Sequence, residues 1–258
     1  MIKLRMFRTF LLLSFALGIA PAQAQVKGEW IDYSHGNVKL KGYLAYDQKV
    51  TGKRPAVLMI HARDGMTERT QKFAEMWARF GYAVFAADMF GYGEGILPKD
   101  VPEMQAQTEI YAKDRPLMRS RTQAGFDVLA KHPMVDASKI ALIGYCFGGA
   151  VVVEFASTGA PLVANVAIHG SFRDHEPGWA KNAKGMFLIY HGAEDPGYPL
   201  TTVDKVVQEL RAAKTPFHYE IYSGTAHGFS TPKNKAEERA NEQSIASTAR
   251  TLKELFGR

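Results

Sequence analysis

The chain has 258 residues, a formal net charge of +6 and one cysteine. Lys3, Arg5 and Arg8 are the only charged side chains among the first 24 residues, which leaves +3 for the remainder. With no dense Lys/Arg block left, a nucleic-acid partner is not expected, and a single thiol excludes an internal disulfide framework and a thiolate-rich zinc centre.

The N-terminus combines that basic start with the apolar stretch "TFLLLSFALGIA" and the small residues "AQA" at Ala22 to Ala24. This pattern predicts a signal peptide over residues 1–24, cleaved before Gln25. The apolar run falls short of the ~20 residues that a bilayer core requires, so no stable membrane anchor is expected after cleavage. The expected location is the periplasm or the exterior, and residues 25–258 are expected to form one domain. The oligomeric state is not readable.

"VKLKGYLAY" alternates like an opening antiparallel strand. "RPAVLMIHA" and "YAVFAADMF" are continuous apolar runs, the pattern of strands buried on both faces. Between them, Phe73, Met76, Trp77 and Phe80 recur at helical spacing, and Gly81 closes that helix. After Asp88 the Gly- and Pro-rich "MFGYGEGILPKDVPE" reads as a loop, followed by helices near 103–113 and 116–131. "KIALIGY" is then a strand and "GGAVVVEFAS" a helix; "VANVAIHG" and "KGMFLIYHG" are strands, "TTVDKVVQELRAA" a helix and "PFHYEIYSG" the last strand, before a closing helix near 235–256. Strand–helix alternation predicts an α/β fold, a doubly wound, mostly parallel sheet flanked by helices.

Ligand chemistry in such sheets gathers beyond the carboxyl ends of the strands. Cys146 falls there, between the strand "KIALIGY" and the helix that follows. Gly144-x-Cys146-x-Gly148-Gly149 matches the nucleophile elbow G-x-S-x-G with Cys for Ser. The glycines allow a turn tight enough to lift the nucleophile clear of the sheet, and the helix N-terminus favours thiolate over thiol. A Walker loop would need a lysine that is missing here, and G-x-G-x-x-G does not fit. Partners in elbow hydrolases follow in the order acid, then histidine. Asp195 in "HGAEDPGYP" and His227 in "GTAHGF" each follow a strand at the same edge. Asp174 is the reserve acid, Asp204 lies in a predicted helix and Glu194 stands beside Asp195. His169, His191 and His218 read as structural.

"GYCFGGA", "HGAEDPGYP" and "GTAHGF", in this order, resemble the dienelactone hydrolase family of α/β-hydrolases, and the likeness runs from about Lys39 to the C-terminal helix. The resemblance implies the α/β-hydrolase fold, a Cys146–His227–Asp195 triad and a small ester or lactone as substrate. The family's type reaction, by this resemblance, opens a dienelactone ring as a carboxymethylenebutenolidase does. The residue chemistry leads to the same scheme: His227 takes the thiol proton, Asp195 fixes its tautomer, and the sulfur forms a thioester acyl-enzyme that water resolves. The backbone N–H groups of Phe147 and Arg63 are the expected oxyanion donors.

Two positions depart from the family pattern. Where the family carries a glutamate contacting the resting cysteine, this chain has Ala62, with Asp64 two residues on as a substitute or a helix starter. Where an arginine would grip a substrate carboxylate after the histidine, it has Thr231, leaving Arg63, Arg115, Arg119 and Arg121 as candidate cations. Asp64, Tyr92, Tyr145 and Phe229 are expected to line the substrate pocket. No metal or other cofactor is expected. The alternatives are a broader carboxylesterase or thioesterase, and a non-catalytic binding protein on the same fold.

Overall fold

The computed structural model describes residues 24–173 and 175–257. Most of the expected signal peptide (residues 1–23), the reserve acid Asp174 and Arg258 lie outside the described residues. The first element is a hairpin of β1 (Val26–His35) and β2 (Val38–Asp47), paired antiparallel from Val26 opposite Asp47 to His35 opposite Val38. Gly36 takes the left-handed conformation (φ 58°) that its tight turn requires. β1 does not stand out in the sequence because it is a half-exposed edge strand, with polar residues where a buried strand would be apolar.

The sheet continues with β3 (Arg54–Ile60), β4 (Ala83–Ala87), β5 (Val135–Tyr145), β6 (Ala164–Ile168), β7 (Met186–Gly192) and β8 (Phe217–Tyr222). Its order is β1-β2-β4-β3-β5-β6-β7-β8; β2 meets β4 antiparallel, and every pair from β4–β3 onward is parallel. β3, β4, β6, β7 and the second half of β5, from Ile140 onward, are almost wholly buried, which is why they read as continuous apolar runs.

Successive residues of β3 feed opposite faces, as the period of two dictates. Ala56, Leu58 and Ile60 join one core with α3 (Arg115–Ala130), α4 (Phe147–Ala156) and α5 (Leu200–Ala212). Val57 and Met59 join the other with α1 (Glu68–Ala78) and α6 (Lys235–Leu255). Each fully buried large apolar side chain contributes about 1.5–3 kcal/mol. Between β4 and β5 the chain also forms α2 (Val101–Lys113). Asp114 separates α2 from α3: its side chain caps α3 by accepting from the Leu117 N–H, and a proline follows in the first turn. Among the described residues, no helix is long and apolar enough to cross a membrane.

The chain leaves β3 for β4 on one flank and later returns to pair β5 on the other. The carboxyl ends of β3 and β5 therefore flank a topological switch point, where an open sheet leaves a crevice.

Candidate active site

Cys146 closes β5 and opens α4 at that switch point. Its backbone is held at φ 53°, ψ −114°, a conformation that a non-glycine residue adopts only when its surroundings impose it. Three backbone bonds impose it here. The Cys146 N–H donates to the Ile168 carbonyl at 3.1 Å, and the Cys146 carbonyl accepts from Gly149 and Ser171, each at 2.9 Å. The neighbouring glycines have steric reasons. A Cβ on Gly144 would collide with the Gly148 carbonyl, one on Gly148 would stand 2.5 Å from the Ile60 carbonyl, and one on Gly149 would strike the Cα of Gly170.

Asp195 follows β7 and His227 follows β8, both at the edge that carries Cys146. His227 Nδ1 lies 2.7 Å from Asp195 Oδ2, and His227 Nε2 lies 3.1 Å from Cys146 Sγ. The second Asp195 oxygen accepts the N–H groups of Gly197 and Tyr198, each at 3.0 Å. Asp195 is buried, whereas His227 remains partly open to the cavity.

These contacts set the protonation of the pair. Burial opposes a charged His227, yet its hydrogen bonds to Asp195 and Cys146, and their negative charge, push it up to about 9. Burial also opposes ionisation of the Cys146 thiol. The hydrogen bond and charge of His227, the Ser171 hydroxyl and the Arg63 backbone N–H outweigh it and hold the thiol below its usual value. Burial likewise works against the Asp195 carboxylate, and His227 with the Tyr198 N–H holds it below the usual range. The arrangement thus favours a thiolate–imidazolium pair.

A cavity of about 460 Å³ opens over the sulfur. Arg63 and Phe147 both line it. The amide of Phe147 is in the first turn of α4, where N–H groups have no partner within the helix. Gln105, Thr108 and Ala112 of α2 form one wall, and Tyr198 and Arg173 another. Arg173 reaches across to Glu109 of α2 at 2.8 Å and to the Tyr198 hydroxyl. Deeper in, the buried carboxylate of Glu154 binds Arg115 at 3.0 Å, Arg119 at 2.9 Å and His175 at 2.9 Å. Among the described residues, no group of three or more His, Cys, Asp or Glu side chains could hold a metal ion.

The expected pocket residues need correction, because none of the four lines this cavity. Asp64 bonds Thr67 at 3.1 Å and pairs with Arg69 at 2.7 Å, bracing the start of α1. Tyr92 stacks on Trp30. The Tyr145 hydroxyl accepts from the Trp77 indole at 2.9 Å, and Phe229 is fully buried against His169 and Tyr222. Strand alternation explains Tyr145, whose side chain points into the face packed by α1.

Thr231 also stands apart from the cavity lining and accepts from Arg69 at 3.3 Å. Of the candidate cations, Arg63 and Arg115 reach the cavity, while Arg121 is buried against the Met89 carbonyl. His169 bonds Ser230 at 2.6 Å, His191 bonds the Tyr198 carbonyl at 2.7 Å and His218 bonds Glu220 at 2.7 Å. Sequence reasoning missed Ser171, Arg173 and His175 as cavity residues. The available signal was their position in the loop after β6, at the same sheet edge as Asp195 and His227.

Comparison with known proteins points the same way as the fold. The carboxymethylenebutenolidase homolog of Mus musculus is 26% identical over 221 residues, covering 85% of this chain and 87% of the mouse protein. Among solved structures, the dienelactone hydrolase-like promiscuous phosphotriesterase P91 from metagenomic libraries superposes with a TM-score of 0.83 at 31% identity, over 90% of this chain and 99% of that one. The structure named m3DLH gives 0.84 at 31% identity with the same coverage. The sequence profile of the dienelactone hydrolase family matches residues 40–256, nearly all that the structure describes, so the chain belongs to the dienelactone hydrolase family and is a hydrolase of the α/β-hydrolase fold.

Proposed function

We propose that this hydrolase cleaves a small ester or lactone with Cys146 as nucleophile, His227 as its acid–base partner and Asp195 as the orienter of His227. The observation that carries the reading is His227 bridging Asp195 at 2.7 Å and Cys146 at 3.1 Å, beside the cavity of about 460 Å³ that all three residues line. The thiolate attacks the carbonyl carbon, and the developing oxyanion accepts the N–H groups of Arg63 and Phe147. His227 gives its proton to the leaving oxygen, the carbon–oxygen bond breaks, and a thioester remains on Cys146. Water then loses a proton to His227 as it attacks the thioester. The carbon–sulfur bond breaks, and its electron pair returns to Cys146.

A broader carboxylesterase or thioesterase is the second reading. It is favoured by Thr231, whose hydroxyl is taken up by Arg69, leaving no cation from that position to grip a substrate carboxylate. Hydrolysis of p-nitrophenyl acetate by the mature protein, beside a Cys146→Ala control, tests the covalent route. An early burst that vanishes in the variant supports it, and turnover that survives in Cys146→Ala rules it out. A parallel series of lactones and simple acyl esters separates the two substrate readings.

A further inference from the structure

We infer that the Ser171 hydroxyl is a working part of this site, a hydrogen-bond donor to the Cys146 sulfur that holds the thiolate at rest and receives it again when the acyl group leaves. This inference rests on Cys146 being the nucleophile.

The geometry comes from the turn after β6. His169 follows that strand with a left-handed backbone (φ 40°), which turns the chain out of the sheet. Gly170 then packs directly against Gly149 of the elbow helix. Ser171, next in the chain, meets Cys146 twice: its backbone N–H donates to the Cys146 carbonyl at 2.9 Å, and its hydroxyl oxygen lies 3.5 Å from Sγ. Both side chains are buried, and both residues line the cavity. A strained, non-glycine turn therefore delivers a hydroxyl to the sulfur.

Chemistry decides the direction of the bond. A thiolate has no proton to give, so with the proton on His227 the hydroxyl must donate and the sulfur accept. In the attack, the sulfur's electron pair becomes the sulfur–carbon bond and the hydroxyl loses its strong acceptor. In deacylation that bond breaks, the pair returns to sulfur, and the hydroxyl donates again. Ser171 should therefore improve sulfur as a leaving group in the second half of the reaction.

Other groups also face the sulfur. His227 approaches from the loop after β8, with Asp195 from the loop after β7 and His169 behind it. The Arg63 N–H approaches from the loop after β3, and Arg115 and Arg173 carry charge elsewhere in the cavity wall. The test must therefore isolate the hydroxyl.

The experiment is the rate of Cys146 alkylation by iodoacetamide against pH in wild type, Ser171→Ala, Ser171→Thr and His227→Ala, with steady-state kinetics on one ester. Ser171→Ala keeps the backbone bond to Cys146, so its thermal midpoint should match wild type. Its alkylation midpoint should rise by about one pH unit, and, above that midpoint and with deacylation limiting, kcat and KM should fall together by about tenfold. Ser171→Thr, which restores a hydroxyl, should recover most of both changes. An Ala profile that overlays wild type, or an equal shift in Ala and Thr, overturns the inference. A His227→Ala profile that overlays wild type would instead sink the thiolate–imidazolium reading, whatever Ser171 does.

Discussion

Gly149 of the elbow helix lies against Gly170 of the turn after β6, so closely that no Cβ fits between them. The contact sets the distance from Cys146 to the turn carrying His169 and Ser171. Gly149→Ala should therefore act twice. Backbone on both sides leaves little room to relax, so stability should fall by about 2–3 kcal/mol. Activity should fall further than the lost folded fraction explains, because the turn and the elbow move apart. Urea denaturation beside ester turnover checks both, and a stable, fully active variant would show that the contact is slack.

A second prediction concerns the thiol. Burial alone pushes its ionisation upward, and His227 is the principal force acting downward. In wild type, alkylation should rise with pH at a midpoint below the ordinary thiol value of ~8.5. Without His227 only the Ser171 hydroxyl and the Arg63 N–H still oppose burial, so the midpoint in His227→Ala should move upward from the wild-type value. With an alkyl ester, whose leaving oxygen needs a proton, kcat/KM should fall again as His227 loses its proton near 9. A wild-type profile that rises without a plateau to pH 10 would contradict the pairing.

Much of this was legible in the sequence because backbone geometry demanded particular residues. A strand-to-helix turn at Cys146 needs its glycines, and β3, β4, β6, β7 and the second half of β5, buried on both faces, must read as apolar runs. The positions of Asp195 and His227 followed from their places after strands at one sheet edge. The pocket was not legible, since aromatic character does not say which way a side chain points. Tyr145 turns into the α1 face and Phe229 into the core beside His169. Polar cavity residues such as Ser171 and Arg173 come from irregular loop, where no periodicity marks a face. β1 was missed for a related reason, since an edge strand needs no continuous apolar run.

The N-terminal pattern leads to a third prediction. Expressed with its first 24 residues in a Gram-negative host, the protein should be recovered from the periplasm with Gln25 as its N-terminus. Intact-mass measurement of the periplasmic fraction reads this directly. A full-length chain retained in the membrane fraction would mean that the segment serves as an anchor.

Glu154 supplies the last prediction. Its carboxylate is buried beneath the cavity and is shared by Arg115, Arg119 and His175. Burial works against its ionisation, but the His175 hydrogen bond and the neighbouring guanidinium groups of Arg115 and Arg119 outweigh burial and hold it below its usual value. For a carboxylate depressed on folding, the stabilisation is fully present above the unfolded value of ~4.3 and is lost as the pH falls through the lower folded value. Glu154→Gln keeps the shape and removes the charge, leaving the cations of the cluster without their shared acceptor. The arginines are partly exposed, so the loss should fall toward the lower end of the range for a broken buried pair, about 3 kcal/mol near neutral pH. The gap between variant and wild type should stay constant from pH 7 to 5 and close as wild-type Glu154 itself takes up a proton below pH 4. Thermal midpoints measured across that range decide it. A gap that persists unchanged into acid would show that Glu154 contributes packing rather than charge.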